Sequence, residues 1–154
     1  MSRTEDMPLP PYARSLAGSL LAAREAVMAP IRPWLREVNV TEQQWRVLRV
    51  LADGGPLDAK TIAAKALLYP PTVTRILREL TERDLIGREA DAEDRRRSVI
   101  TITAQGSSLV AGTARHTSIL LRSYEDAFGK DRLERFVAEA QDLAAALAQF
   151  RPME

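Results

Sequence analysis

Residues 41–103 contain the pattern from which the architecture follows, and they read TEQQWRVLRVLADGGPLDAKTIAAKALLYPPTVTRILRELTERDLIGREADAEDRRRSVITIT. The Thr41 hydroxyl can cap the backbone N–H of Gln44, and the Gln44 side chain can reach back to the Thr41 backbone. The Gly-Gly-Pro run at residues 54–56 then ends the helix. One face of this helix carries Trp45, Leu48 and Leu51. The segment therefore opens with a well-bounded amphipathic helix.

Two further helices follow, joined by a tight turn. Asp58 is a good N-cap for a short helix through roughly Ala66. Pro70 and Pro71 fit the first turn of the next helix, where a missing N–H costs nothing, and this helix runs to about Arg83. Its predicted buried stripe consists of Val73, Ile76, Leu77 and Leu80. Two short helices joined in this way predict a helix-turn-helix.

After residue 84 the period of the sequence changes from helical to alternating. Residues 85–89 and 98–103 are β-branched or alternating, and the charged run Asp-Ala-Glu-Asp-Arg-Arg-Arg at 91–97 separates them. We predict a two-stranded hairpin with a basic loop, its acids toward the strand and its arginines toward the tip. Asp94 is placed to anchor one arginine through a charge-assisted pair. The hairpin makes the helix-turn-helix a winged one.

The second of the two short helices is the expected recognition helix, which must enter the major groove with its first turns exposed. Its predicted DNA contacts are Pro71, Thr72, Thr74, Arg75 and Arg78. The hairpin loop adds Arg95, Arg96 and Arg97, one of which can reach a narrow minor groove. Either set alone could simply solvate a surface helix or turn. The two together favour DNA binding.

Helices flank the winged module on both sides, so the predicted fold class is mainly α (α+β). Apolar residues recur at helical spacing from Tyr12 to about Val38, where Pro30 and Pro33 are expected to kink or interrupt the helix. Thr103 can cap a long helix over 104–128, and a last helix covers 131–149. The last helix is apolar along one whole face, which predicts dimerisation. Packing of that face within one chain is the alternative.

Composition excludes several other classes of protein. The 154 residues suit one ordinary domain, and the formal net charge of +1 requires any anion-binding surface to be local. The absence of Cys removes thiol chemistry, and a single His leaves no expected metal site and no cofactor. No nucleophile–base pair or phosphate-binding glycine loop is evident, so no enzyme is predicted. Without an apolar span or signal-peptide pattern, we expect no membrane partner and a cytoplasmic location.

The block from Thr41 to Thr103 resembles the winged helix-turn-helix of the MarR (multiple antibiotic resistance regulator) family, with the wing signature Asp91-Ala92-Glu93-Asp94-Arg95-Arg96 and the strand end Ile102-Thr103. Within the family, residues 19–26, 31–33 and 41–45 are similar to repressors of homoprotocatechuate (4-hydroxyphenylacetate) degradation operons. The resemblance implies a single MarR-type domain over 1–154, with the DNA-binding module at 41–103 and dimerisation helices at 10–38 and 104–151. It also implies a homodimer on a palindromic operator in double-stranded DNA, released by a small aromatic acid effector.

An effector pocket is expected where the flanking helices meet the winged module, because a ligand there can change the spacing of two recognition helices. An aromatic carboxylate needs a cation and an apolar wall. The candidates are Arg24, Trp34, Trp45 and His116, with Arg24 first. Each also has a plain structural alternative: Trp45 in the core, Arg24 paired with neighbouring glutamates, and His116 on the surface. The alternative function is a winged-helix protein-interaction module that does not read DNA.

Overall fold

The computed structural model describes residues 9–150, within which it contains seven α-helices and one two-stranded sheet. In chain order these are α1 Leu16–Met28, α2 Ile31–Glu37, α3 Glu42–Gly54, α4 Ala59–Ala66, α5 Pro70–Glu82, β1 Ile86–Ala90, β2 Ser98–Ile102, α6 Ala104–Phe128 and α7 Lys130–Ala148. The predicted mainly helical fold with a small hairpin is confirmed. Residues 1–8 and 151–154, which the expected domain boundaries include, lie outside the described residues.

The helix starts follow from local capping. The Gln44 backbone N–H donates to Thr41 Oγ1 at 3.1 Å, and Gln44 Oε1 accepts from the Thr41 backbone N–H at 3.0 Å, so the predicted capping box begins α3. Asp58 Oδ1 caps α4 by accepting from the Thr61 N–H at 2.7 Å. Thr103 Oγ1 accepts from the Gly106 N–H at 3.1 Å and starts α6. All three capping residues were predicted from the sequence. The donors to Asp58 and Thr103, which are the backbone N–H groups of Thr61 and Gly106, come from the structure.

The N-terminal helical segment differs from the prediction at one proline. The chain breaks between α1 and α2 at Ala29 and Pro30, as expected. Pro33, however, lies inside α2 and does not interrupt it. It is the third residue of that helix, and the first backbone N–H groups of a helix have no intrahelical acceptor, so the missing N–H of proline removes no bond.

The sheet is antiparallel, with Ile86 opposite Ile102 at one end and Ala90 opposite Ser98 at the other. Leu57, in the connection between α3 and α4, extends it. The Leu57 N–H donates to the Ile100 carbonyl at 3.1 Å, and the Ile100 N–H donates to the Leu57 carbonyl at 2.7 Å. The hairpin is therefore bonded through its backbone to the entrance of the helix-turn-helix, a contact that the sequence pattern did not indicate.

The chain divides into two compact units with the boundary between Val110 and Ala111, and the first unit holds the winged module. Its core joins α3, α4, α5 and the sheet, and Val47, Leu48, Ile62, Leu80 and Ile100 are among its fully buried side chains. The four residues of the predicted α5 stripe are all buried.

Gly106 marks a close approach between α6 and the α5–β1 connection. A Cβ at this position would collide with the carbonyl oxygen of Leu85 and lie 2.8 Å from Ile102 Cγ1. The Thr103 backbone N–H donates to the same Leu85 carbonyl at 3.1 Å. The start of α6 is thus held directly against the residue that leads into β1.

The second unit contains the rest of α6 and all of α7. No residue of α7 is buried, and its apolar stripe is open: Phe136 is 45% exposed and Leu147 is 52% exposed. The Phe136 ring meets Phe128 edge-on, with centroids 6.4 Å apart. Within the second unit these side chains are therefore accessible, and both the dimerisation of this stripe and its packing within one chain stay predictions.

Candidate nucleic-acid interface

Helix α5 presents a polar face to solvent because its apolar stripe is buried in the core. Pro71, Thr74, Arg75 and Arg78 are exposed, whereas Thr72 is half-buried. The Thr74 hydroxyl donates to the Pro70 carbonyl at 3.3 Å, which places it along the helix axis in the first turn. Four of the five predicted recognition-helix residues thus have open access, and the fifth has partial access.

A groove of about 530 Å³ lies between this face and the hairpin. Its lining includes Thr74, Arg75 and Arg78 from α5 and Arg88 from β1. Arg88 was not among the predicted contacts. Its guanidinium donates to Ser98 Oγ across the hairpin at 3.1 Å. Its position in β1 could have indicated this role. Residues 86 and 88 share one face of the strand by alternation, and Ile86 is buried whereas Arg88 lies in the exposed part of the strand.

The hairpin loop closes in a turn whose centre is basic. The Arg97 N–H donates to the Asp94 carbonyl at 3.0 Å, so Arg95 and Arg96 are the two central residues of the turn. Asp94 Oδ1 accepts from the Arg96 backbone N–H at 3.0 Å. Both central arginines are exposed. They lie at the tip, as predicted, whereas the same prediction is wrong for Arg97, which closes the base of the loop.

Arg97 has a different environment from its two neighbours. Its carbonyl accepts from the Asp91 N–H at 2.9 Å, which places it at the base of the loop, and its guanidinium forms an ion pair with Asp58 at the start of α4. The predicted anchor is therefore corrected: Asp94 bonds a backbone amide of its own turn, and Asp58 holds the arginine. The pKa of Asp58 is lowered first by its hydrogen bonds from Thr61 and then by Arg97.

Arg75 is also held by a carboxylate. Its Nη1 donates to Glu79 Oε1 at 2.8 Å, one helical turn further along α5. The pKa of Glu79 is lowered, mainly because Gln44 donates a hydrogen bond to it and then because Arg75 does. Glu79 is therefore an anion within a predicted anion-binding surface, and sequence reasoning did not single it out.

The predicted effector residues fall in different surroundings. Arg24 forms ion pairs with Glu42 and with Glu25, the latter at 3.3 Å, so its cation already has carboxylate partners. Trp34 is half-buried on α2. His116 lies on α6 in the second unit.

Trp45 lies beside three cations that the sequence analysis did not propose. It lines a cavity of about 240 Å³ together with Arg46, Arg49 and Lys65, and the Arg49 guanidinium carbon is 5.7 Å from the Trp45 ring centroid. Trp45 Nε1 and Arg46 Nε are both buried, and within residues 9–150 neither has a hydrogen-bond acceptor. Burial, and then the charge of Arg24, lower the pKa of Arg46. The cavity therefore has an aromatic wall and a largely apolar lining, and two of its residues carry buried donors without an acceptor in the described part of the chain.

Among the described helices, none is long and apolar enough to cross a membrane. The family model described as "MarR family" matches residues 40–98. The HTH-type transcriptional regulator FarR of Neisseria gonorrhoeae is 32% identical over 143 residues, which is 93% of this chain and 95% of FarR. The homoprotocatechuate degradative operon repressor of Escherichia coli is 30% identical over 131 residues, 85% of this chain and 88% of the repressor.

A solved structure of NadR in complex with 4-hydroxyphenylacetate superposes with a TM-score of 0.76 at 32% identity, covering 94% of this chain and 100% of NadR. These similar proteins are transcriptional regulators and not enzymes, which confirms the expectation drawn from the missing catalytic groups.

Proposed function

The chain belongs to the MarR family of transcriptional regulators, and from this premise we propose that it represses transcription by binding a palindromic operator as a homodimer. The observation that carries the proposal is the groove between α5 and β1, whose lining holds three arginines, Arg75, Arg78 and Arg88, against one acid, Glu82. Helix α5 would read bases in the major groove, since arginine can donate two hydrogen bonds to a guanine edge. Arg95 and Arg96 would contact the adjacent minor groove or its phosphates.

We propose residues 41–103 as the DNA-binding module and the segments 10–38 and 104–151 as the dimerisation helices. The open apolar side chains of α7 support this, because an exposed stripe of that length is typical of an interface between chains. Exposed leucines of α1, such as Leu16 and Leu21, add to the apolar surface of these segments. Two copies would then present two recognition helices to half-sites about one helical turn apart, on the order of 10 base pairs.

We further propose that a small aromatic acid releases the operator and that it binds in the cavity at Trp45. The aromatic ring of the effector would pack on Trp45 and the largely apolar lining, and its carboxylate would pair with the cations of Arg49 and Lys65, which line the same cavity. The volume lies just below the range of drug-sized pockets, which suits one aromatic ring. Arg24, the first sequence candidate, pairs with Glu25 and Glu42 and is not among the residues that line this cavity. The operon named for the Escherichia coli relative and the ligand in the NadR complex favour a 4-hydroxyphenylacetate-like effector.

Selection from a randomised duplex pool, followed by titration of the enriched duplex at several salt concentrations, tests the DNA-binding part. An Arg95→Ala/Arg96→Ala variant should bind more weakly to most sequences alike, with the slope of log affinity against log salt reduced by about 4, because the dimer loses two arginines from each wing. Arg122→Ala/Arg135→Ala removes the same charge from exposed positions of α6 and α7 and serves as the control. Unchanged affinity in a folded, dimeric wing variant contradicts the wing assignment. A parent that enriches no sequence supports the protein-interaction alternative.

A thermal-shift titration with 4-hydroxyphenylacetate tests the effector. A ligand that binds only the folded state raises the melting temperature, so the parent should be stabilised. Arg49→Gln should lose this shift, whereas Arg36→Gln, which changes an exposed arginine of α2 outside the cavity lining, should keep it. Stabilisation that survives Arg49→Gln would place the effector elsewhere.

A further inference from the structure

Three side chains connect the start of α3 to the exposed face of α5. Gln44 Oε1 accepts from the Thr41 backbone N–H, and Gln44 Nε2 donates to Glu79 Oε2 at 2.8 Å. Glu79 Oε1 accepts from Arg75 Nη1, also at 2.8 Å. The two oxygens of one carboxylate thus serve two different donors. A continuous path of hydrogen bonds runs from a helix-capping backbone amide to the guanidinium on the recognition helix.

Exposure rises along this path, so its inner end is fixed and its outer end is accessible. Gln44 is 7% exposed, the Glu79 side chain 32% and the Arg75 side chain 51%. The amide of Gln44 cannot rotate without giving up the capping box of α3. Because its Nε2 is fixed in this way, Glu79 is held on one side by a group that does not move independently of the core.

We infer that Gln44 and Glu79 are positioning residues that fix the Arg75 guanidinium and thereby set its base preference. The inference rests on the proposed DNA-binding function. A guanidinium has five N–H donors, and the hydrogen bond to Glu79 uses one, which leaves a pair for the edge of a guanine. A guanidinium whose orientation is fixed can donate to that edge in only one geometry. A freely rotating one reaches neighbouring bases and phosphates as well, so it discriminates less.

Helix stability alone does not account for the pair. An acidic residue that follows its basic partner by four positions is the less favourable order on a helix, and exposed pairs of this kind contribute little. A carboxylate near the expected path of the phosphates also weakens the attraction to DNA. An orienting role explains why the anion lies here and why the buried amide of Gln44 is aimed at it.

A charge swap tests the inference. Glu79→Gln leaves one carbonyl oxygen for two donors, and Gln44→Glu brings two carboxylates together. In the double variant Gln44→Glu/Glu79→Gln, the new glutamate keeps the capping box and accepts from the new amide, whose carbonyl accepts from Arg75. The path is then complete again, with the same net charge as the parent. Asp53→Asn, which removes an exposed carboxylate from α3 and lies outside the groove, is the matched control.

The measurement uses the full chain and a randomised duplex pool, followed by dissociation constants for the enriched duplex and its single-base variants. The base pair read by Arg75 is the one at which Arg75→Ala loses its preference. At that base pair, the ratio of the dissociation constants for the wrong and the preferred base should fall about tenfold in each single variant and return close to the parental value in the double variant. Discrimination at the other base pairs, and at every base pair in Asp53→Asn, should not change. Adding Glu79→Gln to Arg75→Ala should change the discrimination at this base pair no further. If Gln44→Glu does not fold, the comparison of Arg75→Ala with Arg75→Ala/Glu79→Gln tests the inference instead.

Two results overturn the inference and can be distinguished. Single variants with parental discrimination, or a folded double variant that stays as permissive as the single ones, overturn it while leaving the proposed function intact. A parent that enriches no sequence overturns the proposed function and the positioning role together.

Discussion

Replacing Gly106 with alanine tests how closely α6 is held against the winged module. The added Cβ would overlap the carbonyl oxygen of Leu85. It would also lie 3.1 Å from the Leu85 carbonyl carbon and 2.8 Å from Ile102 Cγ1. The Ile102 side chain can adjust, but the Leu85 carbonyl is backbone and already accepts from the Thr103 N–H. The variant can therefore fold only if α6 and the start of β1 move apart.

Two opposing effects determine how much Gly106→Ala changes the free energy of unfolding. Overpacking in a tight site costs about 1–3 kcal/mol, and a backbone obstacle places this site at the upper end. Alanine gains about 1 kcal/mol over glycine inside a helix. The net expectation for Gly106→Ala is a loss of about 2 kcal/mol in the free energy of unfolding, or about 4–8 °C in melting temperature.

Thermal unfolding followed by circular dichroism at fixed protein concentration measures the change. Ser107→Ala, at an exposed position in the same helical turn, is the control and should be neutral or slightly stabilising. If Gly106→Ala melts at or above the parental temperature, helix propensity outweighs the collision, and the reasoning from the close approach is refuted.

Two further predictions concern the interface and the ion pairs. Phe136→Glu, in the open stripe of α7, should shift the dimer toward monomer in analytical ultracentrifugation, whereas Gln141→Glu should not; a dimer unaffected by Phe136→Glu would remove α7 from the interface. The pKa of Glu25 lies below its ordinary 4.5, chiefly because Arg32 bonds it at 2.7 Å. Since the folded-state pKa is depressed, this pair stabilises the fold above about pH 4.5 and the contribution is lost as the pH falls further; Glu25→Gln should therefore reduce the acid-induced drop in melting temperature, and an identical drop would contradict it.

Features that depend on local spacing could be predicted from the sequence. The capping box of α3, the Asp58 and Thr103 caps and the paired prolines of α5 each involve residues within a few positions of one another, so their geometry follows from the helix itself. For the same reason the buried stripe of α5 and the basic tip of the hairpin were found where they were expected.

Features that join distant segments could not be predicted. The Leu57–Ile100 bridge, the Arg97–Asp58 pair and the Gln44–Glu79 bond connect residues separated by more than 30 positions. No periodicity encodes such contacts, because they depend on how the elements pack. The cavity at Trp45 was missed in the same way: its cations come from α3 and α4 together, and only the aromatic residue was evident along the chain.

The bonds between the hairpin and the entrance of α4 have a mechanical consequence. Two backbone hydrogen bonds at Leu57 and one ion pair at Asp58 hold β2 and the base of its loop to the same short connection. These contacts restrain the wing relative to α4, and the two backbone hydrogen bonds contribute more than the exposed ion pair. A restrained wing adapts its reach to a duplex less readily, so we expect the chain to bind more tightly to DNA whose intrinsic shape already suits the wing and the recognition helix than to stiff duplexes of another shape.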